Sequence, residues 1–326
     1  MRYLIIPLLL VVLAGAWVMY RLNQPYQGFG GPVFVEFAHG TSTRSIASVL
    51  ADKGVIRDRW LFLAARGVRR GATLQAGEYK FDKPASPLQI VRRLIKGDIY
   101  YMELLVPEGF NMFDIADALG KLGTMKAETF LAAARDPSLI RDIDAKAPSL
   151  EGYLFPNKYR IYRHTTAQQI CRMMTGEFRA QWKALGRGAD AHAAVTLASM
   201  VEREARRPEE RPLVASVFTN RLRIGMKLDC DPTTVYAALL DGRYRGTIYR
   251  SDLANMSLWN TYQHVGLPPG PIANPGLGSI RAALAPAETH YLYFVAKADG
   301  SGGHNFSDSL ARHEAAVAGY RDAVRR

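Results

Sequence analysis

The sequence predicts an α+β fold preceded by an N-terminal hydrophobic helix, and three observations support this class. The first is an apolar run without charges at the N-terminus. The second is a strand–turn–helix pattern that occurs twice upstream of Leu150. The third is a series of four helices after Leu150, followed by a hairpin and a closing helix. A chain of 326 residues is long enough for more than one domain.

Residues 1–21 are interpreted as an uncleaved transmembrane anchor. No charged residue lies between Arg2 and Arg21, and a bilayer needs roughly 20 such residues. Trp17 and Tyr20 are placed for the interfacial belt. The competing interpretation is a cleaved signal peptide, because the run contains the small-x-small pattern "AGA", but it reaches Tyr20 without a polar region. We therefore expect a single-pass protein of the cytoplasmic (inner) membrane, with the rest of the chain on the periplasmic, extracytoplasmic side.

Residues 22–32 read as a Gly- and Pro-rich linker, and 33–148 as a region with an internal repeat. The segments "HGTSTRSIASVLADKG" from His39 and "EGFNMFDIADALGKLG" from Glu108 each follow a strand-like run. Five positions of the two segments align: Gly40 with Gly109, Ile46 with Ile115, Ala47 with Ala116, Leu50 with Leu119, and Gly54 with Gly123. This pattern resembles the LysM-type module, a βααβ unit that binds N-acetyl sugars in a groove.

Between the repeats, "AGEYKF" predicts a strand and "SPLQIVRRLIKG" predicts a helix. Ser86 is placed to cap this helix and Gly97 to end it.

Residues 149–326 predict a domain of mixed α and β structure. Asp190 is a candidate N-cap for the helix that contains "VTLASMVEREA", and Asp231 for the helix "DPTTVYAALL". The stretch 258–279 is irregular and unusually long, which is typical of a functional loop, and Ser279 is expected to cap the helix after it. The segment "HYLYFVAKADGSGGHNFSDS" predicts a hairpin around a Gly-rich turn.

The net charge of +12 favours polyanionic partners such as nucleic acid, anionic lipid or acidic cell-wall polymer. Nucleic acid is disfavoured because the chain has no RRM-type motif, zinc finger or dense Lys/Arg run. Cys171 and Cys230 fit no metal motif, and the sequence leaves open whether they pair. There is also no nucleophile elbow, P-loop or dinucleotide fingerprint. No metal or organic cofactor is implied, and carboxylates remain as candidates for catalysis.

The most informative carboxylates are Glu202 and Glu204, at the end of an apolar helix. On a helix, Glu202 shares a face with small residues such as Ala198, whereas Glu204 lies about 200° away beside Met200 and Val201. Periodicity alone does not choose between the two acids. It does exclude them as a carboxylate pair on either side of one glycosidic bond, because side chains two positions apart diverge. A salt-bridged surface glutamate is the alternative for either residue.

The motifs "EGYLFP", "ASxVExE", "NRL", "DPTxxY", "NTY", "GLPPGPI" and "GGHxF" occur in this order, and together they resemble the endolytic murein transglycosylase (MltG/YceG-like) family. The resemblance implies a membrane-anchored enzyme that cleaves peptidoglycan strands internally, at the bond between N-acetylmuramic acid (MurNAc) and N-acetylglucosamine (GlcNAc). It places the catalytic glutamate at the first acid of "ASxVExE", which is Glu202. The family's chemistry needs one acid that must be protonated, and an apolar wall would keep it so. The resemblance also implies that the enzyme works beside peptidoglycan synthases and terminates nascent strands.

Further motif residues are candidates for binding the sugar or supporting the site. Asn260 and Tyr262 belong to the long loop, where an amide and a ring suit an acetamido sugar. The others have structural alternatives, such as a helix cap or a hairpin contact: Asn220, Asp231, His304, Asn305 and Glu151.

Two other functions remain open from the sequence. In a non-catalytic cell-wall adaptor, the LysM-like region would bind the wall and Glu202 would be dispensable. A lysozyme-type hydrolase would need a second carboxylate, for which Glu151 and Asp231 are the candidates.

Overall fold

The computed structural model describes residues 2–69, 71–186 and 190–325. They form two compact units, residues 1–102 and 103–326. The mixed α+β class is confirmed, since every strand lies in a small two-stranded sheet among helices. The predicted domain boundaries at residues 32 and 148 stay predictions.

The first unit has one N-terminal helix followed by a strand–helix–helix–strand arrangement and a final helix. Strands β1 and β2 pair antiparallel, with Val35 opposite Tyr79. Both of these side chains are buried in a core that the helices cover. The elements are α1 (Arg2–Asn23), β1 (Val33–Phe37), α2 (Thr43–Asp52), α3 (Arg59–Val68), β2 (Gly77–Phe81) and α4 (Pro87–Lys96).

Helix α1 packs its C-terminal end on α3 and α4, where Leu22 is buried. Upstream of Leu22 the helix exposes a series of apolar side chains: Ile6, Leu8, Leu9, Leu10, Val11, Val12, Leu13 and Trp17. No helix in the described part of the chain combines the length and hydrophobicity that crossing a bilayer requires.

The second unit begins with a repeat of the same plan and continues into a helical array. Its elements are β3 (Met102–Val106), α5 (Met112–Lys121), α6 (Ala127–Ala134), β4 (Asn157–Ile161), α7 (Ala167–Ala184), α8 (Ala191–Glu204), α9 (Arg211–Arg223), α10 (Asp231–Leu240), α11 (Arg250–Leu253), α12 (Leu277–Leu284), β5 (Tyr293–Ala296), β6 (His304–Ser307) and α13 (Leu310–Val324). Strand β3 pairs with β4, and β5 pairs antiparallel with β6.

The internal repeat is visible in the backbone as well as in the letters. Gly40 and Gly109 have φ of 83° and 81°, and Gly54 and Gly123 both have φ of 68°. A left-handed conformation at the same two places explains why glycine recurs there. The aligned apolar residues are all buried: Ile46, Ala47 and Leu50 in the first repeat, and Ile115, Ala116 and Leu119 in the second.

Several local predictions are confirmed. Ser86 caps α4 in a capping box, Gly97 ends that helix in the left-handed conformation, and Asp190 caps α8. The predicted hairpin forms between β5 and β6.

Two predicted caps are wrong. Asp231 is the first residue of α10, whose N-cap is Cys230. Ser279 lies inside α12, where its hydroxyl is buried without a partner among the described residues. The N-cap is Gly276, so the helix starts three residues earlier than a cap at Ser279 would place it.

Helix α8 runs through the centre of the second unit. Every residue from Val195 to Val201 is buried, and α8 packs against α9, α10 and α12. The helix ends at Glu204, with Ala205 already in an extended conformation. The two glutamates of the sequence motif therefore occupy the point at which a rigid core element reaches the surface.

Candidate active site

Glu202 is held in a network of charges. Its side chain is 6% exposed, and its Oε1 accepts a hydrogen bond from Arg211 Nη2 at 3.2 Å. Its Oε2 accepts one from the Gly276 backbone N–H at 2.9 Å. The same Arg211 nitrogen lies 3.0 Å from Glu108 Oε2. An arginine from α9 thus joins the end of α8 to the turn that begins the second repeat.

The network is tightly enclosed by glycines. A Cβ at Gly276 would lie 1.9 Å from Glu108 Oε1, and one at Gly278 would lie 2.3 Å from Arg211 Nη1. Arg203 Nη1 also donates to the carbonyl of Gly109 at 3.1 Å. Both oxygens of Glu202 are therefore engaged in hydrogen bonds. Instead of the expected apolar wall, they face the Arg211 guanidinium and the Gly276 backbone N–H.

Glu204 points the other way and has different surroundings. Its Oε1 accepts a hydrogen bond from the Cys230 thiol, with an S···O distance of 3.3 Å. Burial raises the pKa of the Glu204 carboxyl, and the negative charge of Asp231 adds to the rise; the thiol, His304 and Arg203 act in the opposite direction. Burial likewise raises the pKa of Cys230, so the thiol stays protonated and can donate.

Glu204 lines two cavities. The first, which we call the tyrosine cavity, has a volume of about 430 Å³ and includes Asp229, Asp231, Tyr262 and Tyr293. The second, which we call the basic cavity, has a volume of about 340 Å³ and includes Arg203, Arg206, Lys297 and His304. A carboxyl whose pKa is raised and that lines two polar cavities has the properties of a general acid.

The tyrosine cavity brings together two of the candidate site residues, Tyr262 and Asp231. The Tyr262 hydroxyl donates to Asp231 Oδ1 at 2.7 Å. Burial, followed by this bond, raises the pKa of Tyr262, so the phenol remains a donor. Both side chains lie at the same cavity as Glu204.

In the basic cavity, His304 is fixed by Glu210. His304 Nδ1 lies 2.7 Å from Glu210 Oε2, and the His304 backbone N–H donates to Glu210 Oε1 at 3.0 Å. The His304 side chain is 10% exposed and the Glu210 side chain is 9% exposed. Asn305 follows on β6 but is exposed and lines neither cavity.

Asn220 and Asn260 are structural in this fold. Asn220 Nδ2 donates to the carbonyls of Thr289 and Tyr291, both at 2.9 Å. Asn260 Nδ2 donates to three carbonyls at the end of α11 and just after it, and its Oδ1 accepts from Thr234. Because each amide group already has its partners, neither residue has a free donor for a sugar.

Glu151 is also internal. It is fully buried, accepts hydrogen bonds from the Met112 backbone N–H and from Asn274 Nδ2 at 2.8 Å each, and is in contact with Tyr236. Burial raises the pKa of its carboxyl to about 8. Asn274 in turn accepts from the backbone N–H groups of Gly152 and Leu154. Glu151 therefore helps to anchor the loop around Asn274, and it lines neither of the two cavities.

The sequence analysis did not predict the contacts that four residues make in this site: Glu108, Arg211, Glu210 and Cys230. Glu108 and Arg211 are 103 residues apart in the chain, and His304 and Glu210 are 94 apart. Cys230 carried a signal, since it stands directly before the Asp-Pro motif. Both cysteines are free thiols, and no group of three potential metal-ligating His, Cys, Asp or Glu side chains occurs in the described ranges.

Comparison with known proteins places the chain in a family. Residues 35–319 match the model of the YceG-like family. A Bacillus subtilis (strain 168) protein named endolytic murein transglycosylase is 32% identical over 309 residues, which cover 88% of this chain and 84% of the relative. A Streptococcus pneumoniae (strain D39) protein of the same name is 29% identical over 300 residues, 81% of this chain but 54% of the relative's length.

Among solved structures, a yceG-like protein from Listeria monocytogenes is similar. Its crystal structure matches with a TM-score of 0.56 and 32% identity, over 87% of this chain and 98% of that one.

Proposed function

The chain belongs to the YceG-like family, and from that membership we propose that it is a lytic transglycosylase acting on peptidoglycan. It cleaves the β-1,4 bond between MurNAc and GlcNAc inside glycan strands and leaves 1,6-anhydro-MurNAc ends. The observation that carries this proposal is Glu204, a carboxyl with a raised pKa at the junction of two polar cavities.

The reaction needs a single carboxyl that acts first as an acid and then as a base. Protonated Glu204 gives its proton to the O4 oxygen of the leaving GlcNAc, and the C1–O4 bond breaks. The resulting carboxylate takes the proton from the C6 hydroxyl of MurNAc, whose oxygen attacks C1 and closes the anhydro ring. Glu204 ends the cycle protonated, and no water is consumed. The Cys230 thiol donates to the carboxylate form between the two steps.

Glu202 has a different role in this proposal. Its carboxylate holds the last turn of α8 to Arg211 and to the loop at Gly276, and that turn carries Glu204. The family resemblance placed the acid at Glu202, and this assignment stays a prediction. The surroundings favour Glu204, because a proton donor must have a free path to the substrate, whereas both Glu202 oxygens are bound by protein donors.

Hydrolysis is the chemical alternative, and it requires a second carboxylate near the acid. Glu151 does not qualify, because it is fully buried. Asp231 shares the tyrosine cavity with Glu204 and is the residue that would activate water. The nature of the product ends distinguishes the two reactions.

The first unit is proposed to bind glycan as a LysM-like module. Its βααβ order and antiparallel strand pair follow that plan. A cavity of about 570 Å³ lies between the loops after β1 and α3, lined by polar residues that include His39, Thr41, Thr43 and Gln75. Hydroxyl and amide groups at such a position suit N-acetyl sugars.

Helix α1 is proposed to attach the protein to the cytoplasmic membrane, with the rest of the chain on the outer side of that membrane. The support is the uncharged run between Arg2 and Arg21 and the exposed apolar side chains of α1. From this position the enzyme would cut nascent strands beside peptidoglycan synthases and so terminate their elongation.

The test is product analysis by mass spectrometry. The full chain, purified in detergent, is incubated with intact glycan strands beside Glu204→Gln and Glu202→Gln. We expect the wild type to release internal fragments with 1,6-anhydro-MurNAc ends. Reducing ends would show that water is the acceptor and implicate Asp231. Binding without cleavage by the wild type would favour a cell-wall adaptor.

A further inference from the structure

The two cavities that meet at Glu204 differ in charge. The basic cavity contains Arg203, Arg206 and Lys297. The tyrosine cavity contains Asp229, Asp231 and one cation, Arg221. A strand cleaved at Glu204 has one sugar on each side of the cleaved bond. Because Glu204 belongs to both linings, each cavity is placed to receive one of these two sugars, and the two would then meet surroundings of different charge.

Two cations of the basic cavity, Arg206 and Lys297, are available to a ligand. Arg206 is exposed and Lys297 is partly exposed, and neither forms an ion pair with any carboxylate in the described part of the chain. The carboxylates around them are engaged: Glu210 with His304, Glu209 with Arg207, and Asp299 with the backbone N–H and hydroxyl of Ser301. Lys297 does act electrostatically on Asp299, so its charge is partly offset.

The tyrosine cavity has the opposite character. Arg221 is paired with Asp229 at 3.2 Å and lies over the Tyr293 ring, with its Cζ 5.2 Å from the ring centroid. Tyr293 stacks on His313 with the rings 5.1 Å apart. Asp231 binds only the Tyr262 hydroxyl among the contacts described. The aromatic faces and acceptor oxygens of the tyrosine cavity suit a neutral sugar, whereas the net negative charge of the cavity disfavours an acidic group.

Peptidoglycan has a matching asymmetry. MurNAc carries a peptide stem with free carboxylates, and GlcNAc is neutral. We propose that the basic cavity is a subsite for the acidic peptide stem of the MurNAc residue at the cleaved bond, while GlcNAc lies at the tyrosine cavity. The inference rests on the proposed function and adds the orientation of the strand and a preference for strands that carry stems.

The test compares two substrates and two double variants. The substrates are uncross-linked glycan strands with their stems and the same strands stripped of stems by an amidase. The test variant is Arg206→Gln/Lys297→Gln in the full chain. The control, Lys146→Gln/Lys183→Gln, removes the same charge from two exposed positions of the second unit that line neither cavity. The readout is the ratio of kcat/KM for stem-bearing over stem-free strands.

We expect the wild type and the control to prefer stem-bearing strands, and the test variant to lose about three- to tenfold of that ratio, as partly exposed charge pairs contribute little each. The loss should be mainly in KM, and the preference of the wild type should weaken with added salt. An equal rate on both substrates by the wild type, or an unchanged ratio in the test variant, would overturn the stem subsite and leave the proposed function standing. If the wild type cleaves neither substrate, the proposed function itself fails.

Discussion

Replacing Glu204 with glutamine separates the roles of the two neighbouring glutamates. The change keeps the volume of the side chain and removes the proton that the carboxyl delivers. General acid–base catalysis contributes about 10²- to 10⁴-fold, which corresponds to about 3–5 kcal/mol of transition-state stabilisation. We expect kcat for strand cleavage to fall by that factor. Folding should not suffer, because a buried ionisable group is replaced by a neutral one.

The matched variant is Glu202→Gln, which lies two positions away on the same helix. It weakens a nearly buried pair, since the Glu202 side chain is 6% and that of Arg211 16% exposed. Arg211 keeps its ion pair with Glu108 in this variant, so its charge does not become unpaired. We therefore expect a loss of only about 1–3 kcal/mol in the free energy of unfolding. For a unit of this size that lowers the melting temperature by several degrees.

The assay combines anhydro-muropeptide release with calorimetric melting for both variants. Glu204→Gln should be inactive and stable, and Glu202→Gln should be less stable with residual cleavage. The opposite pattern, an inactive but fully stable Glu202→Gln beside an active Glu204→Gln, would refute the assignment and return the acid to the first position of the motif.

Three further predictions concern pH and packing. Cys230→Ala removes a hydrogen-bond donor to the Glu204 carboxylate, so the pKa of Glu204 should rise. The alkaline limb of the pH profile of kcat/KM should then move to higher pH, whereas the profile of Cys230→Ser should stay close to that of the wild type. The pKa of Glu151 is raised to about 8 in the folded state, so the unfolded state binds fewer protons than the folded state between about pH 5 and 8. The free energy of unfolding should therefore fall as pH rises through this window. Urea titrations of Glu151→Gln should lack this pH dependence. Gly152→Ala should lower the free energy of unfolding by more than about 2 kcal/mol, because the φ of Gly152 is 87° and the new Cβ would lie 2.4 Å from a proline ring. Gly176→Ala is the control: it lies in the middle of α7, its Cβ would meet no atom within 4 Å, and stability should stay equal or rise slightly. Equal melting temperatures of the two variants would contradict the clash at Gly152.

Predictions from sequence succeeded where the interaction is local. Ser86 and Asp190 cap their helices by bonds to N–H groups two or three residues further on, so a short window contains both partners. The repeat was likewise visible from glycines at fixed spacing. The cap at Ser279 failed because the start of α12 is decided by packing on α8 and α9.

The sugar-binding assignments stay predictions, but the structure separates the candidate residues by burial and by the hydrogen bonds they already make. Asn220 and Asn260 are polar residues in motifs, as ligands would be, yet their amides are consumed by backbone carbonyls. Tyr262 and Asp231 come from a loop and a helix start, and they reach a cavity. A sequence gives the chemical type of a side chain but not how many of its hydrogen bonds the fold already uses.

The sequence by itself determined most of the secondary structure, the repeat and the pair of glutamates at the end of an apolar helix, because these depend on spacing along a few turns of chain. It also determined that the two acids face apart, through helix geometry alone. The tertiary structure decided what each acid meets. Arg211 and the loop at Gly276 close over Glu202, and Cys230 with two cavities surrounds Glu204. These partners come from distant parts of the chain, and the desolvation that keeps a carboxyl protonated arises only when they pack together.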